Sequence, residues 1–149
     1  RIASITTPVT TARLEGALAV FPDARVVSAG GSLIDEGLIA GRLLFADPES
    51  RPTAVIAQSD LIAAGIIRAA EEAGLSVPED VSVAGFDDHP LARLWDPALT
   101  TVAQDFAELG RRGWRLLSDH AADPRLVTLT PDLVVRASTG APLPRKAPS

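Results

Sequence analysis

A guanidinium at Arg13, hydroxyls at Ser32 and Ser59, and adjacent carboxylates at Asp87 and Asp88 are the polar groups whose types suit small-molecule recognition. Arginine presents a planar fork of donors and a carboxylate presents acceptors, so the pair fits a polyhydroxylated or otherwise polar ligand. Each residue also has a plainer reading. Arg13 lies on the flank of an amphipathic segment, where it could be solvated or paired with a nearby carboxylate. Ser59 and Asp60 directly precede an apolar run and read as a helix cap, and Asp60 is assigned a structural role. The carboxylates of Asp87 and Asp88 could serve a turn, a metal site or a hydroxyl acceptor. Turn and acceptor are favoured, because a divalent ion wants further oxygen or imidazole ligands at defined spacing and no such cluster is legible. Catalysis is disfavoured as well. The chain has no Gly-x-Ser-x-Gly elbow, no phosphate loop ending in Gly-Lys-Ser/Thr and no Gly-x-Gly-x-x-Gly. His89 lacks an activated nucleophile beside it, and His120 ends a helix, where a partial positive charge is favourable. No enzyme activity, cofactor or metal is expected.

The elements that must position these groups follow from periodicity. Apolar runs of four to six residues alternate with longer segments of helical period, the pattern of a mostly parallel sheet flanked by helices. Strands are predicted at Ile2 to Thr6, Arg25 to Ser28, Ala54 to Ala57 and Val81 to Gly85. Helices are predicted from about Thr10 to Val20, with Leu14, Ala17, Leu18 and Phe21 on one face, from a cap at Ser32 to about Ala46, and from Ser59 or Asp60 to Ala73. Gly74 supplies the left-handed stop of the last helix. The later part is less regular: Leu99 to Val102, a helix from about Asp105 to His120 and two short strands, Leu126 to Leu129 and Leu133 to Arg136. The proline-bearing segment 142–149 reads as a flexible tail. This β-α-β-α-β-α-β order makes a doubly wound α/β fold the economical topology. In such sheets ligands bind outside the carboxyl ends of the strands, which is where Arg13, Gly31 and Ser32, Ser59 and Asp60, and Asp87 and Asp88 fall.

Composition bounds the partners. With 149 residues and 46% apolar content the chain supports one well-buried core, and its net charge of −5 argues against a surface that grips nucleic acid. The absence of cysteine rules out disulfides and thiol chemistry and fits a reducing compartment. No run approaches a membrane span and no signal-peptide pattern opens the chain, so a soluble, cytoplasmic protein is expected. The helix Asp60 to Ala73 is apolar nearly all round, so it must be buried on more than one side: against the sheet, and against either a partner subunit or a neighbouring helix. On the subunit reading, a charge at Ile66 or Ile67 would break a homodimer.

The run from Pro52 to Val102, in particular TAVIAQSDLIAAGIIRAAEEAGLSVPEDVSVAGFDD followed by Leu99-Thr100-Thr101-Val102 before Gln104, resembles the effector domain of the LacI/GalR family of transcription regulators. The segment Arg13-Leu14-Glu15-Gly16 is similar to that family's Arg-x-x-Gly helix, and the resemblance extends to about Pro142. It implies a periplasmic-binding-protein-like sensor whose C-terminal lobe comprises residues 1–103 and 122–141. Residues 104–121 would be a helix crossing into an N-terminal lobe that, like the DNA-binding headpiece, is not in this chain. The resemblance assigns effector contacts to the positions of Arg13, Ser59 and Asp87, and places Gln104 at a hinge crossing that approaches the ligand. Ser59 stands where the family usually has Asn. An aromatic that often stacks on sugars is replaced near Ser32, and Ala17 sits where another aromatic often follows the motif glycine. Losing a stacking face weakens the case for an ordinary hexose. The expected partners are therefore a carbohydrate-like effector, a second subunit through helix Asp60 to Ala73, and DNA only through the headpiece. The chain would then be a fragment of a longer regulator, its crossing helix refolded, swapped or packed on another copy. A sugar-binding protein of a transport system that has lost its signal peptide is the alternative.

Overall fold

The computed structural model describes residues 1–6, 11–118 and 126–141. Four short apolar runs become parallel strands: β1 (Ile2–Thr6), β2 (Arg25–Ser28), β3 (Ala54–Ala57) and β4 (Ser82–Ala84), ordered β2-β1-β3-β4. Their connections are α1 (Thr11–Val20), α2 (Ile34–Phe45) and α3 (Asp60–Glu72). Because the chain winds from β1 outward to β2 and then back across β1 to β3, the strand order reverses between β1 and β3. In open sheets of this kind the carboxyl edge at such a reversal is where a ligand crevice forms.

Beyond β4, a turn of 3-10 helix at Pro90–Arg93 leads to β5 (Thr101–Ala103), α4 (Phe106–Ser118) and β6 (Asp132–Val134). β5 and β6 pair antiparallel, and isolated parallel bridges from Ala84 to Thr100 and from Asp87 to Ala103 lay this ribbon beside β4. The doubly wound parallel sheet is therefore as expected, but Leu126 to Leu129 forms no strand. Leu126 is 94% exposed, so nothing packs its side chain into a sheet face. His120, the end of the predicted crossing helix and the tail 142–149 lie outside the described residues.

The core is built from alternate strand residues, Ala3, Ile5, Val55, Ala57 and Val83, with Leu44 and Phe45 of α2, Ile62 and Ile66 of α3, and Leu99. α2 and α3 approach at glycines. A Cβ on Gly65 would lie 2.1 Å from the Ile34 carbonyl oxygen, and one on Gly37 would lie 2.3 Å from that of Ile62. Only hydrogen fits there, which is why a helix otherwise rich in alanine and isoleucine carries a glycine at its centre. Within the chain, α3 is covered on one side by its neighbour α2. Ile66 is 0% and Ile67 6% exposed within the chain, so a charge at either would disturb the core. By contrast α1 and α4 are thinly covered, and α4 has no buried residue at all.

Two helix starts differ in their chemistry. At α3, Ser59 caps as foreseen, its Oγ accepting from the Ile62 amide at 3.3 Å. At α2 the cap position is Leu33 rather than Ser32, and the Glu36 carboxylate reaches back to accept from the Leu33 amide at 3.1 Å. Glu36 is the third helical residue, so it supplies the carboxylate half of a capping box and leaves Ser32 without that task. Gly74, at φ 69°, ends α3 with the Leu75 amide donating to the Ala70 carbonyl.

Candidate functional site

Arg13 projects from the first turn of α1, the helix that follows β1, and its Nη1 donates to the Gln58 carbonyl, one residue past β3, at 2.6 Å. That single bond spans the mouth of the crevice between β1 and β3. The guanidinium lies over the Phe86 ring, 3.7 Å from its centroid, an arrangement that fixes the plane of the fork. Its Nη2 stands 3.6 Å from Asp87 Oδ1. The same Asp87 oxygen accepts from Gln104 Nε2 at 2.9 Å. Arg13, Asp87 and Gln104, which lie far apart in sequence, thus meet at one edge of the sheet. The Arg13 to Asp87 separation is long for an ion pair and both side chains are about one third exposed. A ligand hydroxyl can therefore join this pair without breaking a tight bond.

Asp87 has φ 107° and Asp88 φ 49°. Positive φ is uncommon outside glycine and costs on the order of 1–3 kcal/mol where the backbone is strained, so the surroundings must hold these residues in place. The Asp87 amide donates to the Val102 carbonyl, tying the turn to β5. Burial pushes the Asp87 pKa up, against the opposing pull of Arg13, the Gln104 bond and His89. At Asp88 burial also works upward, but bonds from Arg136 at 2.5 Å and Arg93 at 3.0 Å prevail and hold its pKa below the ordinary range.

Behind the turn sits Asp60, 1% exposed. Its Oδ1 accepts from the Thr101 hydroxyl at 2.5 Å and its Oδ2 from the His89 amide at 2.6 Å. Its own amide donates to the Phe86 carbonyl. Burial raises the Asp60 pKa, the Thr101 and His89 bonds oppose this, and the nearby charges of Asp87 and Asp88 add to the rise. Asp60 is structural, as the sequence suggested. Its task differs from capping, because it stitches α3 to the aspartate turn and to β5. A Cβ on Gly85 would fall 2.3 Å from its Oδ1, so the glycine before Phe86 makes room for the buried carboxylate.

Ser59 spends its hydroxyl on the helix cap, beside Gln58 at the same rim. Ser32 is exposed in the loop after β2. The structure therefore brings Arg13 and Gln104 to the same Asp87 oxygen, while Ser59 and Ser32 stand at the carboxyl ends of neighbouring strands. Sequence reasoning missed Phe86 as the platform under Arg13, the Gln58 carbonyl as its acceptor, and Arg136 as the partner of Asp88. Backbone acceptors leave no trace in residue identity, and Phe86 reads as one more apolar residue at the end of the strand. Among the described residues no group of three His, Cys, Asp or Glu side chains is placed to hold a metal ion, and no helix is long and apolar enough to cross a membrane.

Known proteins match this arrangement over nearly its whole length. Residues 10–139 match the periplasmic binding protein-like domain family. The HTH-type transcriptional regulator MalR of Streptomyces coelicolor is 46% identical over 91 residues, 58% of this chain and 26% of that protein. The ribose operon repressor of Haemophilus influenzae is 39% identical over 107 residues, 69% of this chain and 32% of that protein. A LacI family regulator from Enterococcus faecalis V583, solved with bound ribose, superposes with a TM-score of 0.86 at 30% identity, covering 96% of this chain and 55% of that one. The chain thus spans about a quarter to a third of the length of these curated relatives. On the family match the chain belongs to the periplasmic binding protein-like domain family, and these similar proteins are transcription regulators, among them a LacI family member.

Proposed function

We propose that this chain is the effector-binding lobe of a LacI-type transcription regulator and that it recognises a sugar-like small molecule without catalysis. The observation that carries the reading is the convergence of Arg13, Asp87 and Gln104 at the crevice between β1 and β3, with the guanidinium and carboxylate close but loosely paired. A vicinal diol can bridge such a pair, each hydroxyl accepting from the fork or donating to the carboxylate. Ser59 and Ser32 supply further polar groups along the rim. That relatives are regulators, one of them with bound ribose, favours this reading over a transport-system binding protein. The regulator would work in the cytoplasm and meet DNA through a separate headpiece.

Residues 1–103 and 122–141 form the lobe in this proposal, and residues 104–121 cross towards a first lobe. The exposed apolar side chains of α4 support that division: Phe106 is 56%, Leu109 50% and Leu117 77% exposed, a face that calls for cover. Effector bound between two lobes would favour one interlobe angle and so shift operator affinity. A homodimer would use the outer stripe of α3 rather than its buried face. Ala64 and Arg68 of that stripe line a shallow groove with Ile34 and Trp95, beside the 78% exposed Leu94.

A thermal-shift screen of the intact regulator against sugars and related metabolites tests the reading. One class should raise the melting temperature in the wild type but not in Arg13→Ala or Asp87→Ala. A shift retained in both variants would remove the site. Light scattering tests the dimer: Ala64→Arg should yield monomers whose circular dichroism spectrum is that of the folded chain, and an intact Ala64→Arg dimer would refute the interface.

A further inference from the structure

Two neighbouring aspartates divide their bonds between the strand that leaves the lobe and the strand that comes back. Asp87 takes its bond from Gln104, the residue after β5, where the chain departs for α4. Asp88 takes its bond from Arg136, two residues after β6, on the segment that returns. Arg136 is held on several sides. Its side chain is only 13% exposed, its Nη1 donates to the Leu99 carbonyl at 2.8 Å, and its amide donates to Thr100 Oγ1 at 2.8 Å. The other cation on Asp88, Arg93, is 68% exposed, where solvent and side-chain entropy leave an ion pair little strength. Of the two cations the buried one therefore holds the Asp88 carboxylate, while the Asp88 amide donates to Thr101 Oγ1 at 3.4 Å. Because both aspartates have positive φ, a turn released from that grip has conformations of lower energy available, and relaxing into them would swing the Asp87 carboxylate.

We infer that Arg136 is a positioning residue for ligand binding: acting through Asp88, it holds the turn at residues 86–89 so that the Asp87 carboxylate faces Arg13 and Gln104. This rests on the reading of Arg13 and Asp87 as ligand contacts. The fork of Arg136 serves Asp88 and the Leu99 carbonyl at once, and a lysine has one ammonium for both.

The test needs no ligand. The intact protein is labelled at glutamine side-chain amides and isoleucine methyls, and NMR spectra are recorded for the wild type, Arg136→Met, Arg136→Lys, Asp88→Asn and the Asp88→Asn/Arg136→Met double variant. Arg136→Met should shift the Gln104 side-chain amide signals and speed their exchange about tenfold, the loss expected for a bond to a charged acceptor. The Ile62 and Ile66 methyls should stay in place. Arg136→Lys should restore part of the effect. Asn tolerates the left-handed region, so Asp88→Asn tests the same link without a backbone penalty, and also stands in if Arg136→Met does not fold. Its effect should equal that of Arg136→Met, and the double variant should add nothing to either. Unchanged Gln104 signals would overturn the proposal, as would additive effects or shifts that spread to Ile62 and Ile66. Failure of the ligand reading appears elsewhere, as effector binding retained by Asp87→Ala.

Discussion

Replacing Asp60 by Asn and by Ala separates the two things this buried carboxylate does, which are to accept hydrogen bonds and to carry charge. Alanine removes the acceptor of both the His89 amide and the Thr101 hydroxyl. A buried donor left without a partner costs about 1–3 kcal/mol, so two cost about 2–6 kcal/mol, towards the lower end because a hydroxyl can rotate to another acceptor. Asparagine keeps one oxygen for the His89 amide and turns its amide to Thr101 Oγ1 as acceptor, so near neutral pH its cost should stay within about 1 kcal/mol. Charge then sets the pH dependence. Burial raises the Asp60 pKa in the folded chain, so folding favours the protonated acid. The stability gained by holding that proton is complete below the unfolded pKa and is lost as pH rises through the folded one. Asparagine is neutral throughout and suffers no such loss. The stability of Asp60→Asn relative to wild type should therefore climb from the ordinary carboxylate range, about pH 4, and level off above the raised folded value. Denaturant unfolding of wild type and both variants across this range is the assay. Equal losses in the two variants, or an asparagine advantage that shrinks as pH rises, would refute the argument.

Other outcomes follow from the same geometry. Arg13→Ala and Asp87→Ala should each lower effector affinity about 100-fold or more, the scale of a lost charged hydrogen bond, while leaving operator binding in gel shift unchanged. Gly65→Ala should lower stability by about 1–3 kcal/mol despite a helix-propensity gain of about 1 kcal/mol, because its Cβ meets backbone atoms of α2 at 2.1 and 2.5 Å; thermal melting reads this directly. Ile66→Asp should unfold the lobe, as judged by circular dichroism, whereas Ala64→Arg should leave the spectrum intact, since only Ile66 is buried in the core.

Hydrophobic period was enough to place the sheet and its three crossover helices, because burial is a local demand written into every second or every third-to-fourth residue. Hence β1, β2 and β3 fall at the predicted residues and α3 stops at Gly74. The same period could not say that Leu126 to Leu129 would stay irregular, since a strand needs a partner edge as well as apolar residues. Nor could it say that α2 would pack closely on α3. That depended on Gly37, Gly41 and Gly65 lining up across two helices, which is a property of their crossing.

The site divides along the same line. Residue type and the rule that ligands gather at strand carboxyl ends pointed to Arg13 and to the pair Asp87 and Asp88 among other polar residues, and the family resemblance singled out Asp87. Only the folded chain decided that the Arg13 fork would rest on Phe86, reach the Gln58 carbonyl and share Asp87 with Gln104. It also decided that Asp88 would be clamped by an arginine 48 positions away. Pairings of this kind depend on orientation over a few ångströms, and one-dimensional order carries apolar pattern and local propensity but no record of angles between distant side chains.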